Sequence, residues 1–177
     1  MKPSKQDSKI SKKPYKSGMF GGKFIPLHKG HALCISVALA LCEDVHVILF
    51  VNGDGELEIM KNDHTLPREY LSIQSRVQQV KKLLGDNPHL HFHLIDVINC
   101  KNPDGTEDWD AETPLVLNEC GKFDAVFSSE PSYDDYFKSA YPWAKHILVD
   151  VERKKVPISA TMIRNMTEEE ALEWIIK

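Results

Sequence analysis

The sequence predicts a three-layer α/β fold built on a mainly parallel sheet of five strands. Apolar, β-branched runs alternate along the chain with segments of helical periodicity, and this alternation is typical of parallel sheets covered by helices on both faces. The run at 45–51 (VHVILFV) is almost continuously apolar, as expected for a strand buried on both faces. The 177 residues suffice for one domain with a real core.

The first half of the chain is predicted to open with a strand, a helix and a second strand. Residues 18–24 form the first strand, and a short turn joins them to an apolar helix over 31–42. The second strand, 45–51, ends in the turn sequence NGDG. Pro67, at a first helical position, then opens a long helix that Gly85 ends.

A row of histidines marks the predicted third strand, 90–98. His89, His91 and His93 alternate with apolar residues, so the three imidazoles share one face of the strand. Such a row could bind a metal ion, but a solvent-facing edge strand is the favoured interpretation. The next segment, 99–113, is long for a connection without regular structure, which indicates either a functional or a mobile loop.

The second half of the chain continues the alternation. Strands are predicted at 123–127 and 146–149, with a helix at 132–140 between them. The last segment, TEEEALEWIIK, begins with a capping box from Thr167 to Glu170. In folds of this class, ligands bind at the carboxyl ends of the strands.

Charge divides the chain into a tail at 1–17 and a domain at 18–177. The first segment holds six lysines against one aspartate and is expected to be a solvated, disordered tail, with weak nucleic-acid contact as the alternative. The remainder carries 16 basic and 25 acidic residues, a net charge of −9. We therefore expect no nucleic-acid partner for the domain, and any anionic ligand must be held by a local arrangement.

Nothing in the sequence indicates secretion or a membrane partner. The longest apolar stretch, 32–42, is too short to span a bilayer, and the lysine-rich start has no apolar signal core. The four cysteines show no CxxC pairing, which is typical of reduced thiols. These features favour a cytoplasmic protein, and a homo-oligomer is compatible with them.

The turn sequence GKFIPLHKGH, residues 22–31, carries the most specific chemistry. His28, His31 and Cys34 have spacings that could suit zinc, but Cys34 falls inside the apolar helix and has no acidic or cysteine partner nearby in sequence. A metal site is therefore the less favoured interpretation of this turn, and an anion site is the favoured one.

Several features of this turn suit a polyphosphate. Gly21 and Gly22 carry no Cβ and allow the backbone to approach a ligand. Gly30 lies at the start of a helix whose first N–H groups lack partners within the helix, and Pro26 holds the turn in one shape. The basic side chains that could add donors lie in the same turn: Lys23, His28 and His31.

A second basic sequence, ISATMIR, lies near the C-terminus. Ser159 and Thr161 could cap a helix, while Arg164 offers a planar fork to phosphate oxygens. Alone, this pattern indicates little more than a capped helix with a surface arginine. Paired with the HxGH turn in an α/β domain, it predicts a nucleotide site.

Together, GKFIPLHKGH and ISATMIR resemble the HxGH nucleotidyltransferase superfamily, which implies a Rossmann-like nucleotidyltransferase fold. Residues 22–24 (GKF), 127–131 (FSSEP) and 148–150 (LVD) before Arg153 are similar to NadR-type nicotinamide mononucleotide (NMN) adenylyltransferases. Bifunctional members also carry a helix-turn-helix and a kinase domain. The sequence has no second phosphate loop, so the resemblance implies the adenylyltransferase activity alone.

The implied reaction transfers AMP from ATP to NMN and forms NAD and pyrophosphate. His28 and His31 would donate to phosphate oxygens, and Lys23 and Arg164 would neutralise the remaining phosphate charge. Mg²⁺ bridging two phosphates is expected, with no dedicated metal-binding residues in the chain. The other residues expected to bind ATP lie in the two motifs: Gly21, Gly22, Phe24, Pro26, Gly30, Ser159 and Thr161.

For the acceptor, Trp109 is the best candidate to stack on a cationic pyridinium, although it could instead cover a hydrophobic patch. The long helix contributes Arg76, which would contact phosphate or form an exposed structural ion pair. The other expected acceptor-binding residues follow the fourth strand: Ser129, Glu130, Tyr133 and Tyr136.

Other functions remain open at this point. A pantetheine-phosphate adenylyltransferase or a cytidylyltransferase would share the same phosphate-binding residues, and a nucleotide sensor would bind without catalysis. A class I aminoacyl-tRNA synthetase also uses HxGH, but it needs a KMSKS-type loop and a much longer chain.

Overall fold

A five-stranded, entirely parallel sheet organises the chain, as predicted. The computed structural model describes residues 12–53, 56, 59 and 70–177. The strands lie in the order β3-β2-β1-β4-β5, which makes β3 an edge strand. Their bounds are β1 Tyr15–Gly22, β2 Cys42–Val51, β3 Leu90–Asp96, β4 Ala125–Ser128 and β5 Lys145–Leu148.

Helices connect consecutive strands, and two short helices follow the sheet. Their bounds are α1 Lys29–Leu41, α2 Ile73–Leu84, α3 Trp109–Cys120, α4 Asp134–Ala140, α5 Ala160–Arg164 and α6 Glu168–Leu172, with a 3₁₀ turn at Pro131–Tyr133. The predicted capping box of Thr167 and Glu170 is confirmed at the start of α6. No helix within the described ranges is long and apolar enough to cross a membrane.

Alternating side chains of β2 build a core on each face of the sheet. Val47 and Leu49 pack with residues of α1 and α2 on one face. Ile48 points the other way and packs with Val116 of α3 and Phe137 of α4. Because both faces are covered by helices, the three-layer arrangement is confirmed.

A third apolar cluster brings the C-terminal segment to the turn between β1 and α1. Ile25 of that turn packs with Ile158, Ile163 and Ile175. The backbone N–H of residue 176 donates to Leu27 O at 3.1 Å, which ties the two segments together. This packing places α5 at the carboxyl ends of the central strands.

The start of the domain differs from the prediction. Strand β1 begins at Tyr15, so residues 15–17, assigned to the tail, belong to the sheet. Lys13 Nζ also donates to Leu39 O at 2.6 Å, at the end of α1. The rest of the predicted tail, 1–11, and the predicted helix start at Pro67 lie outside the described residues.

The prediction of a loop without regular structure at 99–113 is wrong for its last third, because α3 begins at Trp109. Asp108 caps this helix: its carboxylate accepts the backbone N–H of Ala111 at 3.1 Å. Pro114 lies inside α3 and interrupts the sequence pattern that would otherwise indicate a helix. Trp109 therefore lies on a rigid helix start rather than on a mobile loop.

Candidate active site

A cavity of about 500 Å³ opens at the carboxyl ends of β1 and β4. The starts of α1, α3 and α5 complete its walls. Nearly all predicted site residues line it: Gly21, Gly22, Lys23, Phe24, His28, Gly30, His31, Trp109, Ser129, Glu130, Tyr133, Tyr136, Ser159, Thr161 and Arg164. Of the predicted residues, Pro26 and Arg76 do not line this cavity.

Backbone hydrogen bonds fix the orientation of both histidines of the HxGH turn. His28 is the N-cap of α1, and its Nδ1 accepts the N–H of Gly30 at 3.1 Å. The N–H of His28 in turn donates to His31 Nδ1 at 3.2 Å, and the two rings stack at 3.7 Å between centroids. Because each Nδ1 accepts a hydrogen bond, each neutral ring must carry its proton on Nε2.

Both imidazoles are neutral donors. Burial, with a smaller contribution from the positive charge of Arg153, lowers the pKa of His28 to about 4. Burial, followed by the neighbouring His28 and Arg153, lowers the pKa of His31 well below its usual value. A neutral ring with a fixed Nε2–H can donate to a phosphate oxygen without the cost of burying a second cation.

The glycines of the site have a packing role that the sequence analysis missed. A Cβ on Gly30 would lie 2.9 Å from His28 Cε1, so the ring can bend back over the helix start only if residue 30 is glycine. A Cβ on Gly21 would lie 2.6 Å from Phe50, and one on Gly22 would lie 2.8 Å from Phe24. Here the missing Cβ atoms make room for aromatic rings.

The helix-start N–H groups that were expected to face phosphate are paired within the protein. The N–H of Lys29 donates to Trp174 O at 2.9 Å, and that of Gly30 donates to His28 Nδ1. The C-terminal segment therefore uses one of the donors that sequence reasoning left for the ligand. The donors that this turn offers to the cavity are side chains, above all the two imidazoles.

The arginine near the C-terminus reaches the same cavity as the histidines. Arg164 Nη1 donates to Ile25 O at 2.7 Å, in the turn that leads to His28, and Nη2 donates to Thr161 Oγ1 at 3.3 Å. Ser159 caps α5, since its Oγ accepts the N–H of Met162 at 3.2 Å. Two motifs that are far apart in sequence thus meet at one point.

Arg153 is a site residue that the sequence analysis missed. Its Nη1 donates to Ile158 O at 2.7 Å, and its Nη2 pairs with Glu130 Oε1 at 2.9 Å. The turn that contains Arg153 is held in place, because the Asp150 carboxylate accepts three consecutive backbone N–H groups, those of residues 154–156. The LVD sequence that precedes Arg153 carried the family resemblance and was the available signal.

Two further missed residues, Glu107 and Glu112, bring carboxyl groups into the cavity. Burial opposes ionisation of Glu107, but hydrogen bonds from Lys23 and Asn52 outweigh it and hold the pKa below its usual value. Lys23 thus forms an ion pair with the Glu107 carboxylate. Burial, followed by the charge of Glu107, raises the pKa of Glu112 to about 7.

Aromatic rings form a wall beside these carboxylates. The Trp109 ring meets the edges of Tyr133 and Tyr136, each at 5.1 Å between centroids. The Tyr136 hydroxyl donates to Trp109 O at 3.0 Å, and Trp109 Nε1 lies 3.4 Å from Glu107 Oε2. Trp109 is therefore held in one orientation, with an anionic group next to its ring.

Arg76 does not contact the cavity, and its ion pair is buried rather than exposed. Its side chain is fully buried and pairs with Glu56 Oε2 at 2.6 Å. Its Nε donates to Leu71 O at 2.9 Å, and Nη1 donates to Lys23 O at 2.7 Å. Arg76 thus positions the backbone ahead of the HxGH turn, and its assignment to substrate binding is wrong.

The structure does not support a zinc site at the HxGH turn. Cys34 Sγ lies 3.4 Å from Ser129 Oγ, and burial raises the pKa of the thiol. Within the described parts of the chain, His28, His31 and Cys34 do not converge as a group that could hold a metal ion.

A parallel α/β sheet with paired basic motifs at its carboxyl end defines a nucleotide-binding protein. The cytidylyltransferase-like family matches residues 19–166, most of the chain. The chain belongs to this family and is a nucleotidyltransferase, as the resemblance to the HxGH superfamily predicted.

Curated relatives and solved structures differ in the acceptor that their names state. Phosphopantetheine adenylyltransferases of Mycoplasma mycoides and Mycoplasma capricolum are 25% and 26% identical, and each match covers 85% of this chain and 96% of the relative. A bifunctional NMN adenylyltransferase/ADP-ribose pyrophosphatase of Francisella tularensis is 19% identical with a TM-score of 0.61 over 85% of this chain. A NadR protein in complex with NR is 18% identical with a TM-score of 0.64 over 91%.

The two structural neighbours are much longer than this chain. This chain spans 41% of the Francisella protein and 43% of the NadR protein, less than half of each. At such identities the two structures establish a shared fold, and the acceptor substrate has to be argued from the site itself.

The buried ion pair generates a stability prediction. We expect Arg76→Met to lower the free energy of unfolding by about 3–5 kcal/mol, because Glu56 is left buried and unpaired. The double variant Arg76→Met/Glu56→Leu should recover much of this loss, since no buried charge remains. Lys82→Met, on the exposed side of α2, is the matched control and should stay within about 0.5 kcal/mol of wild type.

Urea denaturation measures the free energy of unfolding of the wild type and of the three variants. A single Arg76→Met variant as stable as wild type would show that the ion pair does not hold this part of the fold.

Proposed function

We propose that this protein transfers AMP from ATP to NMN and releases NAD and pyrophosphate. The single observation that carries the proposal is the set of groups that one cavity brings together. It holds imidazole and guanidinium donors together with an aromatic wall that has carboxyl groups beside it. A basic region suits a triphosphate, and an acidic aromatic region suits a cationic ring.

The basic residues of the cavity support binding of the ATP phosphates. His28 and His31 offer two Nε2–H donors, and Arg153 and Arg164 offer guanidinium groups in the same cavity. Attack by an acceptor phosphate on the α-phosphorus needs no covalent enzyme intermediate, so positioning and charge stabilisation can supply the catalysis. The fixed tautomers matter here, because the donors need no reorganisation as negative charge develops.

The aromatic wall supports a nicotinamide acceptor. The pyridinium ring of NMN carries a positive charge, and Trp109 offers it an electron-rich face worth about 0.5–2 kcal/mol. Glu112, which also lines the cavity, adds a negative charge when it is ionised, whereas Lys23 offsets the charge of Glu107. The arm of phosphopantetheine carries no positive charge, so Trp109 and the Glu112 carboxylate offer it no equivalent gain.

Mg²⁺ is proposed to enter with ATP as the Mg·ATP substrate. Among the described residues of the cavity, Glu107 is paired with Lys23, and Glu130 is paired with Arg153. Those two carboxylates are thus committed to cations, and phosphate oxygens are the natural ligands for Mg²⁺.

Phosphopantetheine is the second candidate acceptor, because two curated relatives carry that activity in their names. Pyrophosphate release distinguishes the candidates when the protein and Mg²⁺ are supplied with ATP or CTP. Each nucleotide is paired with NMN, nicotinate mononucleotide or phosphopantetheine. We expect the highest kcat/KM with ATP and NMN. Faster turnover of phosphopantetheine would replace the proposed acceptor, and pyrophosphate from no pair would indicate a nucleotide sensor.

The histidine role leads to a kinetic prediction. We expect His31→Ala to lower kcat by on the order of 100-fold, because one donor to the developing phosphate charge is lost. His89→Ala, at an exposed position of the sheet edge, is the matched control and should retain full activity. Circular dichroism of both variants checks that they fold. Near-normal turnover of a folded His31→Ala protein would remove His31 from the proposed mechanism.

Glu112 leads to a pH prediction. Its carboxyl group, with a pKa of about 7, is neutral below that pH and negative above it. The KM for NMN should therefore fall about three- to tenfold between about pH 6 and about pH 8, as the carboxylate forms next to the cationic ring. Since the phosphate of NMN also titrates in this range, the informative quantity is the difference between the wild type and Glu112→Gln.

The variant should lose the part of the pH dependence that Glu112 supplies. Asp110→Asn, in the same helical turn, is the control and should keep the wild-type profile. Superimposable profiles for wild type and Glu112→Gln would argue against a role of this carboxylate in acceptor binding.

A further inference from the structure

We propose a second site, independent of the proposed reaction, in which His46, His93 and Cys120 bind a zinc-type transition-metal ion. None of the three lines the active-site cavity. One nitrogen of each imidazole and the Cys120 sulfur all lie within 4.8 Å of one another. Among the residues that the structure describes, they form the one group of histidine, cysteine and acidic side chains with this convergence.

Three rigid elements bring the ligands together. His46 lies in β2 and His93 in the edge strand β3, while Cys120 is the last residue of α3. The strands pair in parallel with His46 opposite His91 and Ile48 opposite His93, so both imidazoles lie on the face that carries Ile48. This is the face on which α3 packs, and the helix therefore ends against the two rings.

The distances suit a tetrahedral metal ion after small adjustments. His46 Nδ1 lies 2.9 Å from His93 Nε2, and the largest separation within the group is 4.8 Å at most. Ligand atoms at about 2.0–2.3 Å from a tetrahedral zinc ion lie about 3.3–3.8 Å apart. The two nitrogens must therefore separate by less than about 1 Å, and the sulfur must approach by at most about 1.3 Å.

Neighbouring carboxylates support a cation at this position. Glu119 Oε2 lies 3.5 Å from His93 Nδ1, which leaves Nε2 as the ligand nitrogen and gives the carboxylate–histidine–metal arrangement common in zinc sites. Asp44 pairs with His91 at 3.0 Å, and the His91 ring lies 5.3 Å from that of His46. Negative charge thus lies on both sides of the group.

The donor set selects the metal class. Two imidazoles and a thiolate suit zinc or cobalt, whereas Mg²⁺ and Ca²⁺ prefer oxygen ligands. A simple hydrogen bond between His46 and His93 would account for their contact, but it would require neither the sulfur nor the Glu119 carboxylate beside them. Three protein ligands leave a fourth position for water, and the bound ion would join the edge strand to α3.

Cobalt spectroscopy of the full-length, chelator-treated protein tests the site. We expect one Co²⁺ per chain, with the visible bands of a tetrahedral ion and a thiolate-to-cobalt charge-transfer band, and displacement of cobalt by Zn²⁺. Cys120→Ser should abolish the charge-transfer band, and His93→Gln should weaken binding by at least about tenfold. Glu119→Gln, which only removes the carboxylate behind His93, should weaken binding by about 10- to 100-fold.

Two matched controls separate this site from the active site. Cys34→Ser removes the cysteine nearest the HxGH histidines in sequence, and His89→Ala removes an exposed histidine of the same strand region. Both should keep the cobalt spectrum and the affinity of wild type. Zn²⁺ should also raise the Tm of the wild type and leave that of His93→Gln unchanged, a readout that applies even if one variant folds poorly.

The proposal is overturned by cobalt binding without a thiolate band. A band that survives in Cys120→Ser but disappears in Cys34→Ser would also overturn it, as would a Tm of the wild type that does not respond to Zn²⁺.

Discussion

The buried pair of Arg76 and Glu56 is the interaction on which the geometry of the active site depends. Burying two charges costs several kcal/mol, which is offset only when every donor finds a partner. Here Arg76 also donates to the carbonyl groups of Leu71 and Lys23. The guanidinium thus connects α2 to the backbone that enters the HxGH turn. A residue outside the cavity therefore holds the backbone that leads into the HxGH turn.

From that fixed backbone, two hydrogen bonds decide the chemistry of the imidazoles. Backbone N–H groups of Gly30 and His28 donate to the Nδ1 atoms of His28 and His31. Because a backbone N–H at the helix start donates to each Nδ1, the proton of each neutral ring is held on Nε2, where it can be donated. Burial keeps both rings neutral, so they do not add two cations to those of Arg153 and Arg164.

Cations and carboxylates are paired within the cavity. Lys23 contacts Glu107 and Arg153 contacts Glu130, which restrains both cations. Beside Glu107, Trp109 is oriented by its position as the first residue of α3 and by its tyrosine neighbours. In the proposed reaction, the two basic motifs bind the phosphates, and residues that α3 contributes bind the acceptor. Differences in α3 would then change the acceptor without changing the reaction.

The sequence by itself determined the fold class and the two motifs that meet at the cavity, because hydrophobic periodicity and helix-start chemistry are local properties of the chain. The sequence did not predict α3, because Pro114 interrupts the helical pattern. Only the tertiary structure assigned Arg153 and Glu112 to the cavity and Arg76 to the interior. The physical reason is that burial and pairing depend on neighbours from other strands and helices, and no local pattern encodes which distant side chains a fold will bring together.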